Sequence, residues 1–380
     1  IMSTYGHFGA TIAATYGASV KKDQFEADAH HFPSAVEASM FPNEIPLSVY
    51  DNLIAAVNES LPVLTEYLKL RKERLGLDEL HMYDMYAPIV EDFNLDVSYP
   101  DAFQLVLDAV APLGEDYVAK LKEAYTGGWI DVYPNQNKSS GAFSSGDLRR
   151  VHPYVLLNQT DDLNSAMTLA HELGHAMHSY MSNTHQPYAK AGYSLFVAEV
   201  ASTCNEALML RSLQKKFTDP KAQEYLLVDL LEKFRTTVYR QTMFAEFERI
   251  SHDMAAKGEP LTKDAMNAAY YALNKKYYGG GAVVDQLIEN EWMRIPHFYR
   301  AFYVYVYATG FCAAMALSQR ILTEGESAVA DYRKFLSAGS SVPPLEALKL
   351  AGVDMSSPEP VRNALKIFKE TIDQLKALKA

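Results

Sequence analysis

Cysteine is nearly absent: Cys204 and Cys312 are the only two in 380 residues, and they stand far apart. Two thiols cannot form the disulfide framework of a small secreted scaffold, so the expected compartment is reducing and the expected location cytoplasmic. Long apolar runs are missing as well. Nothing approaches the roughly 18 residues that a membrane-crossing helix needs, which argues against a membrane role. The opening Ile1-Met2-Ser3-Thr4-Tyr5-Gly6-His7 has no basic stretch followed by an apolar one and does not read as a signal peptide. Basic runs and patches are also lacking. With 35 Lys and Arg against 47 Asp and Glu, the net charge is −12, which argues against nucleic acid or an anionic membrane as the main partner. No Pro/Gly/Ser-rich linker cuts the chain and no short-period repeat runs through it, so residues 1–380 are expected to form a single domain, with room for two lobes.

The chain is instead rich in helical pattern. It is 48% hydrophobic and 22% charged, enough for a large core. From Pro46 to Leu75 apolar residues recur at helical spacing (Val49 and Tyr50, Leu53 and Ile54, Val57, Leu61, Leu64, Leu68), ending near Gly76. Pro100 to Tyr125 predicts two helices broken around Pro112-Leu113-Gly114, and further helices are predicted over 193–215, 219–257, 263–277, 298–320 and 360–379. Strand signals are few. Gly128 to Tyr133 is a short β-prone run stopped by Pro134, a polar loop follows over 135–146, and Val151 to Asn158 is a second strand with Pro153 marking a sheet edge. The expected fold is mainly α, with a small sheet just ahead of the segment that carries the chemistry.

That segment is His171-Glu172-Leu173-Gly174-His175. On a helix, residues four apart lie on one face, so His171 and His175 can offer imidazole nitrogens to one zinc ion, with Glu172 beside them as general base. Asp161 and Asp162 are N-cap candidates, and the stretch Leu163 to Tyr180 holds no proline and one glycine, Gly174. A three-histidine zinc site of the extended kind needs Gly at 178 and His at 181; the residues there are His178 and Met181, which excludes it. The acidic alternative is Glu199, 24 residues after His175, on a second helix expected to pack antiparallel to the first. Two histidines, a glutamate and a water then leave the open position that catalysis requires. Ser202 and Glu206 share a face with Glu199 and are either hydrogen-bond partners of the ligands or ordinary solvated residues. His178 reads as a packed or hydrogen-bonded helix histidine.

The sequence also resembles the thimet-oligopeptidase-like zinc metallopeptidases, and within them the oligoendopeptidase F group. The resemblance rests on PNEIPLSVYDNLI (42–54), LHMYDMYAPI (80–89), NKSSGAFSSG (137–146), HPYVLLN (152–158), TLAHELGHAMHSY (168–180), FVAEVAST (196–203) and HFYRAFYVYVYATGF (297–311). It implies a zincin-like, two-lobed helical catalytic domain around a deep channel that admits short unstructured peptides. It also implies an N-terminal helical region ahead of the part seen here, which would make this chain the C-terminal portion of a longer protein. In the family, a histidine and tyrosines of the last motif support the oxyanion of the tetrahedral intermediate; the matching residues are His297, Tyr303 and Tyr307, with Tyr307 favoured and Tyr305 read as core. Tyr277 to Gly281 is either a flexible loop or a plain surface turn.

The function expected from these residues is a zinc oligoendopeptidase with one Zn2+ per chain, cutting internal bonds of short peptides while Glu172 moves the proton. The alternatives are an exopeptidase on the same zinc site and a catalytically impaired peptide-binding fragment.

Overall fold

The computed structural model describes residues 1–90, 95–146 and 150–378. Its chain divides into two compact units. One comprises Ile1–Glu91, Val228–Ala308 and Ser356–Ala377; the other Asp92–Leu227, Thr309–Met355 and Leu378–Ala380. The fold is mainly helical with one small sheet, as the periodicity predicts.

In the first unit, the stretch read as a single helix over 46–75 is two, Leu47–Glu59 and Leu61–Arg74. The break falls at Ser60, because Pro62 has no N–H to give and belongs in the first turn of a new helix. Gly76, at φ +64°, ends the second helix in the left-handed conformation that glycine adopts without strain. The predicted helix over 219–257, which belongs to this unit from Val228 onward, runs as Pro220–Lys233 and Arg240–Ala256 joined by a π-turn, Phe234–Tyr239. Tyr277 and Tyr278 are not loop residues: they end the helix Lys263–Tyr278 and are buried. A Cβ on Gly280 or Gly281 would press on Thr65 and Leu68, so those glycines let the chain pass close to the Leu61–Arg74 helix. The core of this unit is aromatic, with Tyr16, Phe247, Tyr270, Trp292 and Phe298 packed ring against ring.

The predicted helix over 298–320 starts late, at Tyr305, and runs to Glu324. Pro296–Tyr299 is a single 3-10 turn, and Phe302 sits at φ +56°, a backbone conformation that no helix continues through. The C-terminal helix is Glu359–Ala377; residue 379 of the predicted span lies outside the described residues.

In the second unit, Tyr99–Val110 and Glu115–Thr126 flank the Ala111–Leu113 turn where Pro112 and Gly114 predict the break. Three strands follow: β1 (Ile130–Asp131), β2 (Phe143–Ser145) and β3 (Tyr154–Leu156). Their order is β1-β3-β2, with β1 parallel and β2 antiparallel to β3. The sheet edge is therefore not the Pro153 strand. Pro153 precedes β3, which pairs on both sides, and β2 forms an edge from within the segment read as a polar loop. Next come the helices Leu163–His185 and Leu195–Lys216, which carry the site.

Candidate metal centre

The helix Leu163–His185 begins at Asp162, whose carboxylate accepts the Ser165 N–H at 2.7 Å. The cap satisfies a backbone donor that the helix start leaves over and sets the phase of the turns that follow. Two turns on, His171 and His175 emerge on one face. The helix Leu195–Lys216 lies against this face and runs antiparallel to it. Asn205 Nδ2 donates to the Ala170 carbonyl at 3.2 Å, Glu206 reaches His171, Gly174 meets Ala201 and Ser202, and Glu199 reaches His175. Numbers rise along one helix as they fall along the other.

Gly174 makes this approach possible. A Cβ there would lie 2.6 Å from Ser202 Cα and 2.7 Å from the Ala201 oxygen, closer than real atoms come. Gly310, from the Tyr305–Glu324 helix, closes on the same helix from another side, and a Cβ on it would meet Glu199 Cβ at 3.8 Å.

Three donor atoms converge. His171 Nε2 and His175 Nε2 are 3.1 Å apart, and each is 3.4 Å from Glu199 Oε2. In a tetrahedral zinc site with bonds of about 2.0–2.1 Å, neighbouring donors stand about 3.3 Å apart, so this triangle has the size that three zinc ligands require. Among the described residues, it is the one group of three His, Cys, Asp or Glu side chains gathered closely enough to hold a metal ion. Two ring nitrogens at 3.1 Å facing one carboxylate oxygen need a proton or a cation between them. Burial opposes charge on His171, but Glu199 and Glu206 outweigh it and push the imidazole up to about 10. Burial also opposes charge on Glu199, yet hydrogen bonding to His171 and His175 holds its carboxyl far below the usual carboxylate range. Both shifts arise from the carboxylates of Glu199 and Glu206 gathered on these imidazoles, an arrangement that favours positive charge at this point.

The candidate ligands have hydrogen-bond partners of their own. Glu206 Oε1 lies 2.6 Å from His171 Nδ1, which leaves Nε2 of that ring for the centre. Ser202 Oγ is 3.3 Å from Glu199 Oε2. Glu172, beside the first histidine, is 5% exposed, and its Oε2 has no hydrogen-bond partner among the described residues. Burial raises its pKa, against the pull of the two imidazoles, as suits a group that takes up and releases a proton. His178 faces elsewhere. It is 1% exposed, its ring stacks on Tyr193 at 3.8 Å, and burial drives its pKa down to about 3, so it is neutral packing.

The centre opens into a cleft of about 820 Å3, walled by β2 on one side and by Tyr188, Tyr193 and Leu195 on the other. Tyr193 also meets Ser179 on the metal helix at 2.9 Å. Asn205 and Tyr193 are the residues of this region that sequence reasoning overlooks. A lone asparagine deep in an apolar helix, as Asn205 is, was the signal available for one of them.

His297, Tyr303 and Tyr307 lie in the first unit, where they form a cluster of their own. Tyr303 and Tyr307 have ring centroids 5.2 Å apart, Tyr307 Oη is 3.5 Å from His297 Nε2, and the Arg300 guanidinium covers the Tyr303 ring at 4.3 Å. Of Tyr303 and Tyr307 only Tyr307 stands in the α-helix, so the helix predicted over 298–320 does not carry both; the turn before Tyr305 brings the two rings together. Tyr299 points away, with its hydroxyl 2.8 Å from Thr15 Oγ1, and Tyr305 is buried 5.2 Å from the Tyr50 ring.

The chain is similar to several known proteins. The chain is 50% identical to "Oligopeptidase PepF" of Bacillus subtilis over 378 residues, all of this chain and 56% of that protein. It is 41% identical to "Group B oligopeptidase PepB" of Streptococcus agalactiae, again over 378 residues and 63% of that protein. The crystal structure of oligoendopeptidase-F from Enterococcus faecium superposes with a TM-score of 0.79 at 36% identity, covering 99% of this chain and 61% of that one. The chain thus spans a little over half the length of these relatives. Among the described residues, no helix is long and apolar enough to cross a membrane. The family model described as "Peptidase family M3" matches residues 3–367, and the family's metallopeptidase chemistry implies a metal, which the His171, His175 and Glu199 group could hold. This chain belongs to peptidase family M3.

Proposed function

We propose that this chain is the catalytic part of a zinc oligoendopeptidase that hydrolyses internal bonds of short, unstructured peptides. The observation that carries the reading is the triangle of His171 Nε2, His175 Nε2 and Glu199 Oε2 at tetrahedral ligand spacing, with Glu172 buried beside it. The names of the relatives, oligopeptidases and an oligoendopeptidase, support the substrate class. The family match runs through both compact units, which supports reading residues 1–380 as one catalytic domain. Two buried free thiols, Cys204 and Cys312, support a cytoplasmic location.

His171, His175 and Glu199 would hold the ion, and Glu206 and Ser202 would fix the first and last of these. When bound, zinc supplies Lewis acidity for the scissile carbonyl and lowers the pKa of a coordinated water. The remaining work belongs to side chains. Glu172 accepts a proton from the attacking water at its free Oε2, as its raised pKa suits, and delivers it to the leaving amide nitrogen. The water oxygen ends on the carbonyl carbon, the C–N bond breaks, and the nitrogen leaves as a neutral amine. Among the described residues β2 pairs on one side only, and its outer edge, on the cleft wall, offers backbone groups on which an extended peptide can align. We assign oxyanion support to the His297, Tyr303 and Tyr307 cluster, with Tyr307 foremost. The resemblance of residues 297–311 to the family's Tyr-rich motif supports the assignment.

End-blocked peptides of varied length, incubated with and without a chelator and read by mass spectrometry, test the reading. Internal cuts that stop with chelation are expected. Release of terminal residues from unblocked peptides alone would point to an exopeptidase, and zinc-loaded protein without cleavage to a binding protein. Glu172→Gln should keep its zinc and lose at least about 100-fold in kcat.

A further inference from the structure

We infer that Glu248 is a positioning residue for the His297, Tyr303 and Tyr307 cluster, acting through the backbone of Phe302; the inference rests on the oxyanion role assigned to that cluster.

Phe302 is a bulky residue at φ +56°, in a backbone region that L side chains avoid. Such a conformation persists only where the surroundings impose it. The ring is 3% exposed and packs against Tyr50 at 5.9 Å and His252 at 4.5 Å. The peptide group joining Ala301 to Phe302 is gripped at both ends. Its N–H donates to Glu248 Oε1 at 2.9 Å, and its carbonyl, that of Ala301, accepts from Ser39 Oγ at 3.2 Å. A peptide plane held at both poles cannot rotate, and the direction in which the chain leaves it is decided. The next residue is Tyr303. Its carbonyl accepts the Val306 N–H at 3.1 Å as the helix bearing Tyr307 begins.

Glu248 itself has no structural need to be an acid. It is fully buried on the Arg240–Ala256 helix, and among the described residues its Oε2 has no partner and no cation pairs with it. Burial drives the carboxyl well above its usual range, and Asp23 adds to this, against the Phe302 N–H, which favours the charge. An unpaired buried carboxyl is costly, and a merely structural position would be filled by an apolar side chain. What the acid supplies here is one acceptor atom at the peptide that aims the tyrosines. A glutamine, which resembles the neutral acid in shape, supplies the same atom.

The test is made in the intact protein with an internally quenched peptide. Glu248→Gln should stay within about threefold of wild type, because the acceptor is kept. Glu248→Met, which keeps the volume and removes the acceptor, should lower kcat about 10- to 100-fold, with KM within about threefold and full zinc content. Combined with Tyr307→Phe, it should add little to the larger single loss, since both act through one group. Wild-type kcat in Glu248→Met, losses that multiply in the double variant, or a Gln variant as poor as the Met variant would each overturn the inference. Should Glu248→Met not fold, Ser39→Ala releases the other pole of the same peptide from the surface. A drop in kcat at constant KM supports the inference, and an unchanged kcat refutes it. The underlying assignment fails separately: if His297→Ala, Tyr303→Phe and Tyr307→Phe all turn over at the wild-type rate, the cluster has no oxyanion role whatever Glu248 does. If those variants lose activity while Glu248→Met does not, only the positioning role falls.

Discussion

Gly174→Ala is the smallest change that should loosen the metal centre without touching a ligand. The added methyl would sit 2.6 Å from Ser202 Cα, where carbon atoms normally rest about 3.5–4.0 Å apart, so the two site helices must separate by about 1 Å. Overpacking of this kind costs about 1–3 kcal/mol. Replacing glycine by alanine in a helix interior returns about 1 kcal/mol, so the net loss of stability is expected to be about 0–2 kcal/mol. The effect on the centre is larger in kind. His171 and His175 ride on one helix and keep their 3.1 Å separation, while Glu199 rides on the other, and both of its 3.4 Å edges lengthen. A ligand displaced this far should weaken zinc binding about 10- to 100-fold, comparable to losing a partner that orients a ligand. Competition with a chromophoric chelator reads the affinity and thermal unfolding reads the stability, with Gly192→Ala, where a Cβ meets nothing within 4 Å, as the control. Zinc affinity within twofold of wild type in a folded Gly174→Ala protein would show that the helices are not held at closest approach, and the reasoning would be wrong.

Glu206→Gln should weaken zinc about 10- to 100-fold by loosening the hold on His171 Nδ1, measured by the same competition. His175→Ala should abolish both zinc retention and peptide cleavage, with metal content after dialysis as the readout. A pH-dependent prediction concerns Glu232, which bonds Arg71 and Arg235 in the first unit. Burial raises its pKa, but Arg235 first and Arg71 after it lower it further than burial raises it. A carboxyl depressed on folding contributes stability that is present above its unfolded pKa and is lost as pH falls through the lower folded value. Glu232→Gln should therefore lower Tm at neutral pH and flatten the acid limb of a Tm-against-pH curve. An equal loss of Tm at pH 3 and pH 7 would contradict the pairing.

The metal helix was legible in the sequence because its signals are local. Asp162 caps it, five residues spell the proposed ligand pair and base, and no proline interrupts it, so backbone geometry alone puts His171 and His175 on one face. The break at Pro112 to Gly114 was legible for the same reason, and the break at Pro62 should have been. The errors fall where pairing across the chain decides. A three-residue strand such as Phe143–Ser145 has no periodicity to read and exists because β3 lies beside it, which also moves the sheet edge away from Pro153. The late start of the helix at Tyr305 depends on Phe302, which by type alone gives no hint of a left-handed backbone; its conformation is tied to Glu248, 54 residues earlier.

From the sequence alone come the mainly helical class, the two histidines with their glutamate neighbour, and the choice of Glu199 over a third histidine. Each follows from covalent spacing along a helix or from residue type. Only the tertiary structure decides that the three donor atoms close to within 3.1–3.4 Å, since that distance depends on two helices meeting where Gly174 has no side chain. It also decides that Glu206 grips His171, that His178 is packed away against Tyr193, and that Tyr303 meets Tyr307 through a turn instead of a helix face. Spacing along a chain determines which residues can share a face; how near two faces come is set by the atoms packed between them.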